Sequence, residues 1–165
     1  MSWIVGIDPG GDGGLTLLPS SLSDHGIFIF PYNGEDGAYD CFKKVVEATG
    51  DTDNLFVYVE KVASSTNMGV KSAFTFGHNV GQWDACIKII SPDTETKRPT
   101  PQVWQKTIPG MDEVRGFANQ KARKDLLWNF AQQLYPNTRI HKRIADSVLI
   151  AHWGKLEYNN KKNQW

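Results

Sequence analysis

Cysteine is scarce in this chain, with only Cys41 and Cys86 among 165 residues. The two lie far apart and neither has a metal-ligating neighbour, so the pattern argues against a disulfide framework or a thiolate zinc site and for two buried free thiols. Also missing is any apolar run able to span a bilayer, and Met1-Ser2-Trp3 leads straight into a strand pattern without a basic segment and apolar core of signal-peptide type. These absences predict a soluble cytoplasmic protein with no membrane partner. No internal repeat and no second domain is visible: residues 1–158 read as one domain and residues 159–165 as a polar tail. The length suffices for a proper core and is too short for a two-lobed ATPase.

Net charge is missing as well, since 18 Lys and Arg balance 18 Asp and Glu. A neutral total argues weakly against nucleic acid, but the charges are segregated. Residues 1–96 carry 5 basic and 13 acidic side chains, a balance of minus 8, whereas residues 97–165 carry 13 and 5, a balance of plus 8. One reading is an uneven spread of solvated faces; the other is a basic surface for phosphates beside an acidic metal pocket.

What the chain does have is an acid at the end of a buried strand. Ile4, Val5 and Ile7 form a short apolar run that delivers Asp8 into a turn rich in glycine, Pro9-Gly10-Gly11 with Gly13-Gly14, where a polyanion or metal could approach the backbone closely. Leu15-Thr16-Leu17-Leu18 resumes an extended pattern, which makes a hairpin. An aspartate that merely orders a turn gives the same local pattern; so do metal-dependent nucleases of the ribonuclease H fold and actin-like ATPases.

Further along, Gly26–Phe30 reads as a third strand and residues 36–48 as a helix with Ala38, Phe42, Val45 and Val46 inward. Leu55-Phe56-Val57-Tyr58-Val59-Glu60 then repeats the opening logic of a strand that ends in an acid. If the two strands are neighbours, Asp8 and Glu60 meet at one rim of the sheet, where open α/β sheets place their ligands. Residues 61–69 read as a flexible loop. The spacing predicts a helix from Lys71 to Trp83, whose Gly77 and Gly81 leave one face open to close packing, and a fifth strand at Ile87-Lys88-Ile89-Ile90. A short helix is expected over Gln102–Lys106, an amphipathic one over residues 118–135 with Ala122, Leu126, Leu127, Phe130 and Leu134 inward, and a last one from about Ile144-Ala145-Asp146. The fold class is therefore α/β, with a central mixed five-stranded sheet flanked by helices.

Asp8, Glu60 and Asp146 form a three-carboxylate set that only folding can assemble. Oxygen-rich sites suit Mg²⁺ or Mn²⁺, and two such ions can activate water and stabilise a leaving phosphodiester oxygen. Singly, Asp146 could cap a helix and Glu60 could pair with Lys61.

Taken in order, several segments resemble RuvC-type Holliday junction resolvases, above all the compact versions encoded by bacteriophages and prophages. They are Gly6-Ile7-Asp8-Pro9-Gly10 with Gly13-Gly14, Val59-Glu60-Lys61-Val62, Gly69–Gly77 with Gly81, Pro101-Gln102-Val103-Trp104-Gln105-Lys106, Lys121-Ala122-Arg123 and Ile144–Ala151, covering residues 4 to about 154. The resemblance implies a ribonuclease H-like fold and a homodimer that cuts four-way and other branched DNA with Mg²⁺, Mn²⁺ being able to substitute, and with two ions per site. It implies Asp8, Glu60 and Asp146 as metal ligands and catalytic acids. Lys121 is then a catalytic basic residue near the scissile phosphate, and Lys106, Lys121, Lys124 and Lys142 are DNA contacts. A fourth ligand usual in the family is replaced here by Lys142 and Arg143, so His141 is the candidate substitute, and Lys142 could instead stabilise charge developing on the phosphate. Met68 is a candidate wedge at the junction centre, where some family members carry an aromatic residue at the position of Ala63.

Overall fold

The computed structural model describes residues 1–21, 26–32, 37–50, 52–62, 68–114 and 119–162. Apolar alternation in the first third of the chain builds β1 (Trp3–Asp8), β2 (Gly14–Pro19) and β3 (Phe28–Pro31), joined as an antiparallel meander. Helix α1 (Gly37–Thr49) follows and returns the chain to β4 (Leu55–Val59), which pairs parallel with β1. After the long helix α2 (Val70–Ile90) comes β5 (Thr96–Lys97), parallel to β4. The sheet order is β3-β2-β1-β4-β5, a mixed sheet with β1 at its centre. Helices α3 (Pro101–Gln105), α4 (Gln120–Leu134) and α5 (Ala145–Lys162) complete the α/β fold.

Two cores lie on the two faces of this sheet, as the period-two alternation of a strand requires. Val5, Ile7, Leu15, Leu17, Val57 and Val59 pack with Phe42 and Val45 of α1 and Trp83 and Ile87 of α2. Ile4, Leu18 and Tyr58 point to the other face and pack with Leu127 and Ala131 of α4 and Val148, Leu149 and Ala151 of α5. At Gly6 the backbone of α5 rides directly on β1. A Cβ there would sit 2.6 Å from the Ser147 carbonyl oxygen and 2.7 Å from the Ala151 Cα, so only glycine lets the helix descend this far.

The fifth strand is not where the apolar run suggested. Ile87-Lys88-Ile89-Ile90 forms the last turn of α2, and β5 lies beyond it at Thr96–Lys97. Burial shows why: Ile87 is 2% exposed and Ile89 is 74% exposed, whereas a half-buried strand would place both on one face. Ile87 shares a helical stripe with Trp83 and Asn79, and no breaker intervenes before Pro92. On α4, Leu127 is buried as expected, Leu126, Phe130 and Leu134 are half-buried, Ala122 is exposed, and Ala131, not among the expected inward residues, is buried. Both cysteines are free thiols; Cys41 is buried and Cys86 partly so. Helix α5 runs four residues into the expected tail, held by hydrogen bonds from Tyr158 Oη to Ser2 Oγ at 3.0 Å and from Asn159 Nδ2 to the Ser20 carbonyl at 3.2 Å. Among the described residues no helix is long and apolar enough to cross a membrane.

Candidate active site

Parallel pairing aligns Ile7 with Val59, and the Glu60 N–H donates to the Ile7 carbonyl at 3.0 Å. One step further along both strands, Asp8 and Glu60 therefore stand side by side at the C-terminal rim of the sheet. The third acid arrives through packing. Thr16 on β2 hydrogen-bonds Ser147 at 2.9 Å, and the Ser147 hydroxyl donates to the Ile144 carbonyl at 2.9 Å. This buried pair pins the first turn of α5 against the sheet and sets Asp146 at the same rim, with the positive end of the helix dipole beneath it. All three acids line one open cleft of about 640 Å³, together with Gly10, Asp12, Gly13, Pro101, Gln105, Arg123, Lys124, Lys142 and Arg143.

Each acid is held differently. The Asp8 Oδ1 accepts the Gly10 N–H at 3.0 Å, and the turn behind it is closed by a Gly13 N–H bond to the Gly10 carbonyl. A Cβ on Gly13 would collide with the Asp8 backbone and carboxyl group, which is why that turn carries no side chain. Glu60 is 8% exposed, and its Oε1 accepts the indole N–H of fully buried Trp104 at 3.0 Å. Asp146 is 7% exposed; its Oδ2 carries an ion pair from Lys124, while its Oδ1 is buried and has no hydrogen-bond partner.

Burial and mutual repulsion dominate the electrostatics. Desolvation, then the charge of Asp146, lifts Asp8 to about 6 against the pull of the Gly10 N–H and Lys124. Desolvation, then the charges of Asp8 and Asp146, lifts Glu60 to about 8, and the Trp104 hydrogen bond only partly offsets this. A carboxylate cluster left in this condition favours any cation able to enter.

The donor set fits a hard divalent cation in kind: three carboxylates on one rim, one of them with a buried, unpartnered oxygen. Its present arrangement is not a preformed metal site, because among the described residues no group of three or more His, Cys, Asp or Glu side chains is placed to hold a metal ion. Asp146 is instead turned onto the Lys124 ammonium.

The remaining candidates divide into cleft and periphery. Lys142 lines the cleft, but its ammonium pairs with Asp125 of α4. His141, the candidate substitute ligand, does not line it: its side chain is exposed and its carbonyl accepts the Ile144 N–H where a short 3-10 helix (Lys142–Ile144) begins. Lys106, after α3, and Lys121, in the first turn of α4, are exposed and lie outside the cleft lining. Met68 is half-buried just before α2, also outside the lining, and Ala63 lies outside the described residues. Trp104 and Asp12 had no assigned role in the sequence reading, although Trp104 stands inside the Pro101–Lys106 motif. An isolated tryptophan gives no sign of the carboxylate it will meet.

No protein-family model matches the chain, and no curated protein matches its sequence. Solved structures do. The chain is similar to Thermus thermophilus RuvC in complex with Holliday junction substrate, with a TM-score of 0.60, 13% identity, and 98% of this chain and 96% of that one covered. It is also similar to the Thermus thermophilus RuvC structure, with a TM-score of 0.57, 13% identity, and 97% and 96% covered. At this identity the likeness is one of fold, and it spans essentially both chains: the protein has the ribonuclease H-like fold seen in these two RuvC structures.

Proposed function

We propose that this chain is a divalent-metal-dependent endonuclease that resolves four-way DNA junctions by phosphodiester hydrolysis, working as a homodimer. The observation that carries the reading is the convergence of Asp8, Glu60 and Asp146, from β1, the end of β4 and the start of α5, in one cleft of a RuvC-like fold. Each has a local partner, the Gly10 N–H, the Trp104 indole or the Lys124 ammonium, but no such partner accounts for three carboxylates gathered on one rim, since burying like charges together costs stability.

A divalent cation bound by these acids would supply a water activated at neutral pH and a Lewis acid for the phosphate oxygens. The chain's own residues do the rest. Asp8 is held by the Gly10 N–H and Glu60 by the Trp104 indole, so both carboxylates are oriented before substrate arrives. Arg123, Lys142 and Arg143 put positive charge on the cleft wall, where a phosphodiester would lie. Gly10 and Gly13 keep side chains off the Asp8 carboxylate, leaving it unobstructed beside the cleft. Beyond the cleft, Lys106 and Lys121 extend the basic surface along which flanking phosphates would run.

The dimer is supported by α2. Phe74 is 76% exposed and Val70 89% exposed, and added Cβ atoms at Gly77 and Gly81 would meet nothing within 4 Å. A helix that leaves an aromatic ring and two glycines uncovered on a neighbouring stretch has room for a second helix. Two-fold symmetry would present two equivalent clefts to the two equivalent phosphates of a junction.

The deciding experiment is cleavage of a labelled four-way junction with and without Mg²⁺, with a replication fork and a linear duplex as controls. Paired, metal-dependent nicks at the junction are expected, and Asp8→Asn and Asp146→Asn should each abolish them by several orders of magnitude while leaving the fold intact. Equal cutting of the fork would point to a broader branched-DNA nuclease. Junction binding without any metal-dependent cutting would leave a non-cleaving binding module and refute the enzymatic reading.

A further inference from the structure

Lys124 lies where a freely solvated DNA contact would not. It belongs to the second turn of α4, and its ammonium reaches the cleft to pair with Asp146 Oδ2. The two oxygens of that carboxylate are thus in different states: Oδ2 is neutralised by a cation of the chain itself, and Oδ1 is buried without a partner. Neighbouring residues follow the same division. Lys142, the other lysine on the cleft wall, is drawn onto Asp125, the residue after Lys124 on α4. With the Lys142 charge met by Asp125, the described lining holds four acids, Asp8, Asp12, Glu60 and Asp146, against three bases, Arg123, Lys124 and Arg143, a formal balance of minus 1. One divalent ion already reverses that balance, and a second would have to displace the lysine from Asp146.

We propose that Lys124 is a built-in cation of this cleft: it occupies Asp146 Oδ2 in place of a second divalent ion, and the cleft binds a single divalent ion through Asp8, Glu60 and Asp146 Oδ1. The inference rests on the metal-dependent reading given above and departs from the two-ion arrangement that the resemblance implies. In chemical terms the ammonium supplies one fixed positive charge on a side chain that is 38% exposed and so open to the space where a phosphate would sit. A lysine cannot polarise water as a divalent ion does, but it can stabilise charge that develops on a phosphate oxygen without having to be captured from solution. It also neutralises Asp146 before any metal arrives, easing the repulsion that Asp146 exerts on Asp8 and Glu60.

The test counts ions rather than turnover. Mn²⁺ is titrated into the full-length protein without DNA, with stoichiometry from calorimetry and the spin resonance of bound Mn²⁺ read in parallel. Wild type should take up one ion per chain with the spectrum of isolated Mn²⁺. Lys124→Met, which keeps most of the side-chain volume and removes the charge, should take up two and show the broadened spectrum of a coupled pair; Lys124→Arg should stay at one. Thermal melts of all three establish that the fold is kept, and the Arg variant decides the matter if the Met variant melts early, since a charge-bearing variant that takes up two ions contradicts the proposal. Two ions in wild type, or one ion in a folded Lys124→Met, would overturn it and leave the metal-dependent reading standing. No uptake by wild type at millimolar Mn²⁺ would remove both.

Discussion

Replacing Glu60 by glutamine should make the metal-free protein more stable at alkaline pH, although it removes a group the proposed reaction needs. Glu60 is 8% exposed and is raised to about 8 by desolvation and by the charges of Asp8 and Asp146. Its folded-state value lies above its unfolded one, so the folded protein holds the proton more tightly. The stability this contributes is complete below about 4.5 and is lost as pH rises through about 8. At about 1.4 kcal/mol for each tenfold change in proton affinity, the full cost at pH 9 is bounded near 5 kcal/mol. Glutamine keeps the acceptor for the Trp104 indole and much of the shape. Neighbouring acids relax when Glu60 ionises, so a gain of roughly 2–3 kcal/mol is expected, or roughly 5–10 °C in melting temperature for a chain of this size. The assay is a pair of thermal melts with chelator at pH 9 and at pH 5, where Glu60 is protonated and the advantage should nearly vanish. Adding Mn²⁺ at pH 9 to about a thousand times Kd should then reverse the order, because wild type gains about 4.1 kcal/mol of binding free energy, which the variant largely lacks. A variant no more stable than wild type at pH 9, or an advantage independent of pH, would refute the claim that Glu60 is held against its own charge.

Gly6→Ala should destabilise the protein by about 3 kcal/mol or more, or prevent folding, because its Cβ would collide with the α5 backbone at Ser147 and Ala151, which has nowhere to go; chemical denaturation measures it. Phe74→Glu should convert a dimer to a monomer in equilibrium sedimentation and leave the monomer's melting unchanged, since the ring is 76% exposed within one chain; an unaltered dimer would move the interface off α2. Lys106→Ala and Lys121→Ala should each reduce the salt slope of junction binding by about one unit where a phosphate contact is lost. Lys124→Ala should leave the slope less changed than either, because that ammonium is spent on Asp146; fluorescence titrations at several salt concentrations compare the three.

The strands and the two strand-end acids were legible because their signals are local. A buried parallel strand must be an apolar run, and a carboxylate directly after one stands at the strand's C-terminal end, where open α/β sheets place their ligands. Asp146 was legible for the same reason, at the first turn of a helix otherwise buried along Ala145–Ala151. The fifth strand was misread because Ile87–Ile90 satisfies both periods over four residues, and only the fit of Trp83 and Ile87 against the sheet selects the helix. Side-chain pairing across segments left no local trace. Whether Lys124 faces solvent or the cleft depends on how α4 is rotated on α5, which is set by Leu127 and Ala131. His141 is exposed, and sequence distance to Asp146 does not show the 3-10 turn that lies between them.

The cleft's position and its instability have one origin in the sheet. β1 is paired antiparallel with β2 and parallel with β4, so the turn that follows Asp8 folds back along β2 while the chain after Glu60 leaves along the other side. The rim between them is left open, and α5 enters it only because Gly6 allows the helix to lie on the β1 backbone. That contact brings a third carboxylate onto two others, and burial then raises Asp8 and Glu60 well above their ordinary values. Packing elsewhere must carry this cost, and it does so on both faces of the sheet: large fully buried side chains fill the two cores, Trp83 and Tyr32 in one and Trp104, Leu127 and Ile144 in the other. A cleft assembled this way cannot be relaxed by small local changes, because the residues that destabilise it are the ones the fold is arranged to bring together. Its repulsion is relieved only by a positive charge, which the chain supplies in part through Lys124 and leaves in part to be taken from solution.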